Sequence, residues 1–292
     1  MKNYGNKAGY KIFEITLRYL GLDFAYGLLL FIVPYYIFFR PSVYKNSKPY
    51  LMRRFPGDSF IQRYLRLFKY IFTFGQSLID QYYFGFSGEP AIKLDFDREQ
   101  EMLDLLEKKP VIFVMSHLGY WEVAMAGSSR FKKKMNVMVN MEVDKNKRKS
   151  FYDIRKNGGE LKFIDIAGDY GGMIEAANAL MLGEVVGVTG DRAAGWRTKT
   201  ASFLGDPARF PVIAELLALP TGAAVVVLLT SKASRYHIRF HWKDISAGVI
   251  SDKTLSRDEK IEKMLELYTG ELENHVRDNP YLWFNFFDFW EL

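Results

Sequence analysis

Three short runs, Val111–Met115 (VIFVM), Val185–Thr189 (VVGVT) and Ala223–Thr230 (AAVVVLLT), are apolar at almost every position instead of at every second one. A strand that is apolar on both faces has to be covered on both, the condition of a parallel sheet held between helices. The neighbouring segments fit that arrangement. Asn136–Asn140 and Leu161–Ile166 read as further strands, and Tyr236–Trp242 alternates like a half-exposed one. Helical patterns fall at Trp121–Gly127, near Tyr152, at Met173–Leu182 and at Ile213–Leu219. The link Ser231–Arg235 suits a hairpin between the last two strands. The expectation for residues 91–292 is an α/β domain, a mostly parallel central sheet flanked by helices and ending in an aromatic tail.

Residues 1–90 have a different character. Residues 1–86 hold 24 of the chain's 47 aromatics and a net charge of +8, although the whole chain carries only +6. A membrane surface is one partner that takes both, aromatics at the interface and cations against anionic headgroups. Phe24–Phe39 (FAYGLLLFIVPYYIFF) has no charged residue, and basic residues flank it on both sides. At 16 residues it is shorter than a full span, which needs about 20. Pro34 is expected to kink or break a helix there. The segment reads as in-plane or re-entrant in a membrane with both ends cytoplasmic, or as a buried helix of the globular core. Nothing about it suggests a cleavable signal. Ile61–Ile79 has apolar residues at helical spacing, with Arg63, Arg66 and Lys69 on the other face. That is a basic amphipathic helix, suited to a membrane surface or to packing on its own domain. Residues 1–90 are therefore expected to form N-terminal membrane-associated helices.

The sequence excludes several chemistries. It has no cysteine, which removes disulfides, thiolate metal sites and any thiolate nucleophile. No GxGxxG or GxxxxGK[ST] loop accompanies the strands. His237 and His241 would lie about 13 Å apart along a strand, too far to share one metal. Nucleic acid is a poor partner, since the basic excess sits with the apolar segment.

The chemistry is expected in VIFVMSHLGYWEVA, residues 111–124. A buried strand ends, His117 and Gly119 follow in a turn, and Glu122 lies in the first helical turn beyond. An imidazole that folds back onto a carboxylate has its tautomer fixed and its basicity raised, so the other ring nitrogen can act as general base. The alternative is a surface histidine beside a helix N-terminal glutamate.

This stretch resembles the His-x4-Asp/Glu block of the lysophospholipid acyltransferase superfamily, and within it the lipid A biosynthesis (lauroyl/myristoyl) acyltransferase branch. Other stretches are similar in the same order: VVGVTGDR at 185–192, and SFLGDPARFPVIAELLALPTGAAVVVLL at 202–229 with its Phe-x-Gly-x-Pro segment. The aromatic tail PYLWFNFFDFW at 280–290, with FFRPSVYKNSKPYLMRR at 38–54, looks more like the acyltransferase subgroup of aryl-polyene and flexirubin pigment clusters. One departure is Asp191-Arg192, where the lipid A enzymes usually have Asp-Gln.

The resemblance implies a glycerolipid acyltransferase-like fold and an acyltransferase of class EC 2.3.1. It would act at the cytoplasmic face of a bacterial inner membrane, moving a fatty acyl group from an acyl-carrier-protein or coenzyme A thioester to a hydroxyl or amine of a lipid, glycolipid or polyene acceptor. His117 would be the general base, with Glu122 holding it. No cofactor or metal is expected beyond the donor thioester. Backbone N–H groups near Gly119, and Arg192, are the candidates for stabilising the oxyanion. Arg192 could instead pair with Asp191 or anchor an acceptor phosphate, and Asp191 could be functional or a turn residue. Arg197 and Lys199 could meet the donor's phosphopantetheine arm or be solvated loop charges. Arg130, Lys132, Lys133 and Lys134, like Lys145–Lys149, could dock an acidic carrier protein or be solvated. The tail aromatics could form an interfacial belt or close the core. Two other readings stand beside the enzyme: a non-catalytic peripheral lipid-binding protein of the same fold, and a hydrolase using Ser116, which lacks the G-x-S-x-G elbow.

Overall fold

In the computed structural model the described residues are 15–87, 92–121, 123, 130–140, 161–167, 169–193 and 195–291. After helical residues 15–19 come three longer helices: α1 (Gly21–Phe39), α2 (Pro41–Arg54) and α3 (Phe60–Ser87). Then follow β1 (Lys93–Phe96), α4 (Glu99–Lys108), β2 (Val111–Met115), β3 (Met135–Val139) and β4 (Leu161–Asp165). The second half contains α5 (Met173–Met181), β5 (Val185–Thr189), the hairpin β6 (Thr198–Phe203) and β7 (Asp206–Pro211), and α6 (Ile213–Thr221). It continues with β8 (Ala224–Ser234), β9 (His237–Asp244) and α7 (Arg257–Asp278).

Among the described residues seven strands form one sheet in the order β1-β9-β8-β2-β5-β3-β4. Every pair is parallel except β8 with β9. The three continuous apolar runs are β2, β5 and β8, the central neighbours, and all five β2 residues are buried. The architecture is the mostly parallel, helix-flanked α/β sheet that those runs require. The expected helix at 121–127 falls largely outside the described residues, as do the basic run at 145–149 and the helix near 152.

Two local expectations are corrected. Pro34 does not break the first helix into separate elements, because α1 runs continuously from Gly21 to Phe39. The β8–β9 link is shorter than Ser231–Arg235, because β8 continues through a bulge between Lys232 and Ser234.

Helices α2 and α3 belong to the main core. Tyr50, Leu67 and Tyr70 pack in one cluster with sheet residues and with Tyr281, Trp283, Phe289 and Trp290 of the tail. α1 lies against α3 through Leu22, Ala25, Leu29 and Val33, in a second, smaller cluster. Its other side is open: Phe31 is 80% exposed, and Phe38 and Phe39 are exposed too. The start of α3 is also apolar on its outside, with Phe60, Ile61 and Leu65 exposed. Its cations partly turn the other way. Arg66 donates to Tyr281 Oη at 2.8 Å, and Lys69 lies over the Tyr281 ring. The outward face of this amphipathic helix thus includes large apolar side chains.

Candidate active site

β2 and β5 are parallel neighbours in register, with Met115 opposite Thr189. Two residues beyond Met115 is His117, and two residues beyond Thr189 is Asp191, so the two leave the sheet side by side. Gly190 donates its N–H to Met115 O at 2.7 Å, which keeps the strand ends together. Only glycine fits at 190, since a Cβ would lie 2.6 Å from Val114 Cγ1 and 2.7 Å from Tyr268 Cζ. The pair therefore stands at the carboxyl end of central parallel strands, where ligands of α/β sheets usually bind.

His117 Nδ1 lies 2.9 Å from Asp191 Oδ1. The His117 backbone N–H donates to Asp191 Oδ2 at 2.8 Å, and Trp283 Nε1–H donates to the same oxygen at 3.0 Å. Burial by itself would raise the Asp191 carboxyl. The His117 imidazole, its hydrogen bond, Arg192 and the Trp283 indole outweigh burial and hold the carboxyl at about 2. An ionised carboxylate can only accept, so Nδ1 carries the proton of that hydrogen bond and Nε2 is the basic nitrogen. Glu122, expected from the sequence to hold the imidazole, lies outside the described residues.

Gly119 shapes the loop. Its φ is +58°, and a Cβ there would lie 2.7 Å from Thr230 Oγ1. The backbone donors around it are already committed: Leu118 N–H to Ser116 O, Gly119 N–H to Leu282 O, and Tyr120 N–H to Thr230 Oγ1. The Nη2 of Arg192, the other oxyanion candidate, donates to Phe284 O at 3.3 Å, and its guanidinium lies 5.6 Å from the Phe287 ring centroid. Ser116 is buried and shares a 2.9 Å hydrogen bond with Tyr268 Oη, which ties it into the core.

The tail completes the site. Phe284 N–H donates to His117 O at 2.8 Å, and Leu118 and Trp283 form an antiparallel bridge. The α3 residue Tyr70 donates through Oη to Trp283 O at 2.7 Å, and Tyr50 on α2 bonds Pro280 O. Most of the tail aromatics close the core, and Phe287 is exposed. Trp283 and Tyr70 are not visible in the sequence as site residues; the one hint is the aromatic density of the segments that contain them. Several cations that could have faced a donor or solvent are held in ion pairs: Lys199 with Glu262, Arg130 with Glu99, and Lys134 with Glu184. Among the described residues no group of three or more His, Asp or Glu side chains is arranged to hold a metal ion.

Fold and site together define an α/β protein with a carboxylate-held histidine at the carboxyl edge of its parallel strands. Residues 9–291 match the sequence profile of the bacterial lipid A biosynthesis acyltransferases. The chain belongs to that family and is a lipid acyltransferase. No curated protein sequence matches it.

Proposed function

We propose that the chain moves a fatty acyl group from an acyl-carrier-protein or coenzyme A thioester to a hydroxyl or amine of a lipid, glycolipid or polyene acceptor, with His117 as general base. The observation that carries this reading is the Asp191 carboxylate on His117 Nδ1. As the acceptor attacks the thioester carbonyl, Nε2 takes its proton. The new carbon–oxygen or carbon–nitrogen bond forms, the carbon–sulfur bond breaks, and the proton passes to the departing thiolate. General-base assistance of this kind contributes typically ~10²–10⁴ in rate. No covalent enzyme intermediate is needed, in keeping with a chain that has no cysteine. The Arg192 guanidinium is placed in the role of stabilising the tetrahedral oxyanion, where one donor is worth roughly 2.7–4 kcal/mol. Because Asp191 holds Nδ1, the part left to Glu122, which the His-x4-Glu block of the family resemblance supplies, is to stabilise the imidazolium that forms.

The reaction is placed at the cytoplasmic face of the inner membrane. Support comes from α1, long and apolar enough by length and composition to cross a bilayer, and from the outward aromatics of α1 and α3. Those side chains suit an interfacial seat, with the N-terminal helices lying in or against the lipid. The pigment-cluster resemblance makes polyene acceptors the first to try.

The test is acyl transfer by purified protein in mixed micelles, with labelled acyl-carrier-protein and coenzyme A thioesters offered to lipid extracts and read by mass spectrometry. His117→Ala protein is expected to lose transfer while still sedimenting with vesicles. Transfer at the wild-type rate by that variant would rule the mechanism out.

A further inference from the structure

A second histidine relay lies on the far side of the sheet from the His117 loop. Thr230 in β8 reaches that loop: its Oγ1 accepts from Tyr120 N–H and donates to Leu118 O. Side chains alternate along a strand, so Ser231, one residue on, points to the opposite face. There Ser231 Oγ lies 2.9 Å from His241 Nε2, and His241 Nδ1 lies 2.6 Å from Asp97 Oδ2. The carboxylate can only accept, so Nδ1 carries the proton and Nε2 is left as the acceptor of the serine hydroxyl. That is the order of roles that activates a serine, and such sites are recognised by geometry and not by position in the chain.

The surroundings hold this arrangement in place. Asp97 is fixed at the end of β1: its N–H donates to Phe240 O, and its carbonyl accepts from Trp242 Nε1 at 2.6 Å. His275 on α7 lies beside His241, ring centroids 5.4 Å apart, and donates through Nε2 to Thr230 O. Burial is the main cause that lowers His275 below the ordinary histidine value. Arg239 stands directly across from Ser231 in the β8–β9 register, with its Nε 3.4 Å from Asp95 Oδ2. Directly opposed side chains start about 4.5–5.5 Å apart at Cβ, which brings the guanidinium within reach of an oxyanion forming at Ser231. The His241 and Asp97 side chains are each 38% exposed, so a reagent can reach them.

We propose that Ser231, His241 and Asp97 form a second, separate nucleophilic site that accepts acyl groups from small activated esters. The face is open, so the substrate class is a compact acyl ester and not a long chain held in a tunnel. Ser231 Oγ adds to the ester carbonyl, and its proton passes to His241 Nε2. The carbon–oxygen bond to the leaving group breaks, and that group leaves with the proton. Water then attacks the acyl-serine by the same relay, releasing the carboxylic acid and restoring the hydroxyl. A fluorophosphonate reports the first half, since the serine oxygen bonds phosphorus, fluoride leaves and the adduct stays.

The experiment treats the full-length chain in detergent with a fluorophosphonate and maps the adduct by peptide mass spectrometry. Wild-type and His117→Ala proteins are expected to carry one adduct on Ser231, and Ser231→Ala none. His241→Ala should slow labelling of Ser231 by about 100-fold, the low end of what a general base contributes. Hydrolysis of 4-nitrophenyl acetate above the Ser231→Ala rate gives an independent readout. Ser231 left unmodified by excess probe, or modified equally fast in His241→Ala, overturns the proposal. Neither result bears on acyl transfer at His117, because Ser231 takes no part in it.

Discussion

Asp191 meets His117 twice, with Oδ1 2.9 Å from the ring Nδ1 and Oδ2 accepting the backbone N–H at 2.8 Å. The carboxylate thus fixes the imidazole and the loop that carries it. Asp191→Asn keeps the size of the group, but its amide can present N–H to Nδ1 and favour the wrong tautomer. A comparable change in a serine protease triad lowers kcat by about 10⁴. The expected outcome is a fall in kcat of at least ~10² with little change in KM, measured by single-turnover acyl transfer. A variant that kept wild-type kcat would show that the carboxylate only supports the fold.

Trp283 links the tail to this carboxylate through a 3.0 Å hydrogen bond and is itself 1% exposed. Trp283→Phe removes the donor and keeps most of the packing. It should lower kcat several-fold while costing roughly 1.5–3 kcal/mol of stability for one lost hydrogen bond to a charged group, the His117 N–H still donating to the same oxygen. Trp283→Ala also leaves a cavity and is expected to cost about 3–5 kcal/mol. Denaturant titration beside kcat separates the two effects. Equal kcat in wild-type and Trp283→Phe would remove the indole from the site.

The sequence shows those parts of the fold whose physics is local. β2, β5 and β8 are legible because burial on both faces leaves continuous apolar runs. β1 (KLDF), β6 (TKTASF) and β7 (DPARFP) are short and partly exposed, so their composition looks like that of a loop. α7 begins at a Ser256–Glu259 capping box, a start signal that the sequence carries as Ser-x-x-Glu. His117 can be picked out from its motif. Its hydrogen bond to Asp191 cannot, because 74 residues separate them and only the β2–β5 adjacency brings them together. Trp283 is further still, held by tail contacts that no spacing encodes.

The outward aromatics give a prediction for the membrane. Deleting α1 would uncover the α3 face that it packs on, so point changes make the cleaner test. Phe31, Phe38, Ile61 and Leu65 are all exposed, and changing them together to serine removes apolar surface without opening the core. Binding to anionic vesicles in a sedimentation assay is expected to fall sharply, while transfer to a micelle-dispersed acceptor is kept. Unchanged sedimentation would mean that another surface carries the membrane contact.

Buried carboxyls make opposite contributions to the pH dependence of stability. Asp191 is held at about 2, so its contribution is present above the ordinary carboxyl range and lost as pH falls toward 2. Glu215, at the start of α6, is 3% exposed, and burial raises it to about 7. Above its unfolded value the unfolded chain releases this proton while the folded chain still holds it, so stability falls as pH rises from about 4.5 to about 7 and then levels. The cost accumulated by pH 8 is roughly 3 kcal/mol. Glu215→Gln keeps a neutral side chain of similar shape and removes the proton from the balance. The variant should melt above wild type at pH 8 and lose that advantage at pH 5, in thermal unfolding followed by circular dichroism. The same difference in melting temperature at both pH values would show that Glu215 does not titrate as its burial requires.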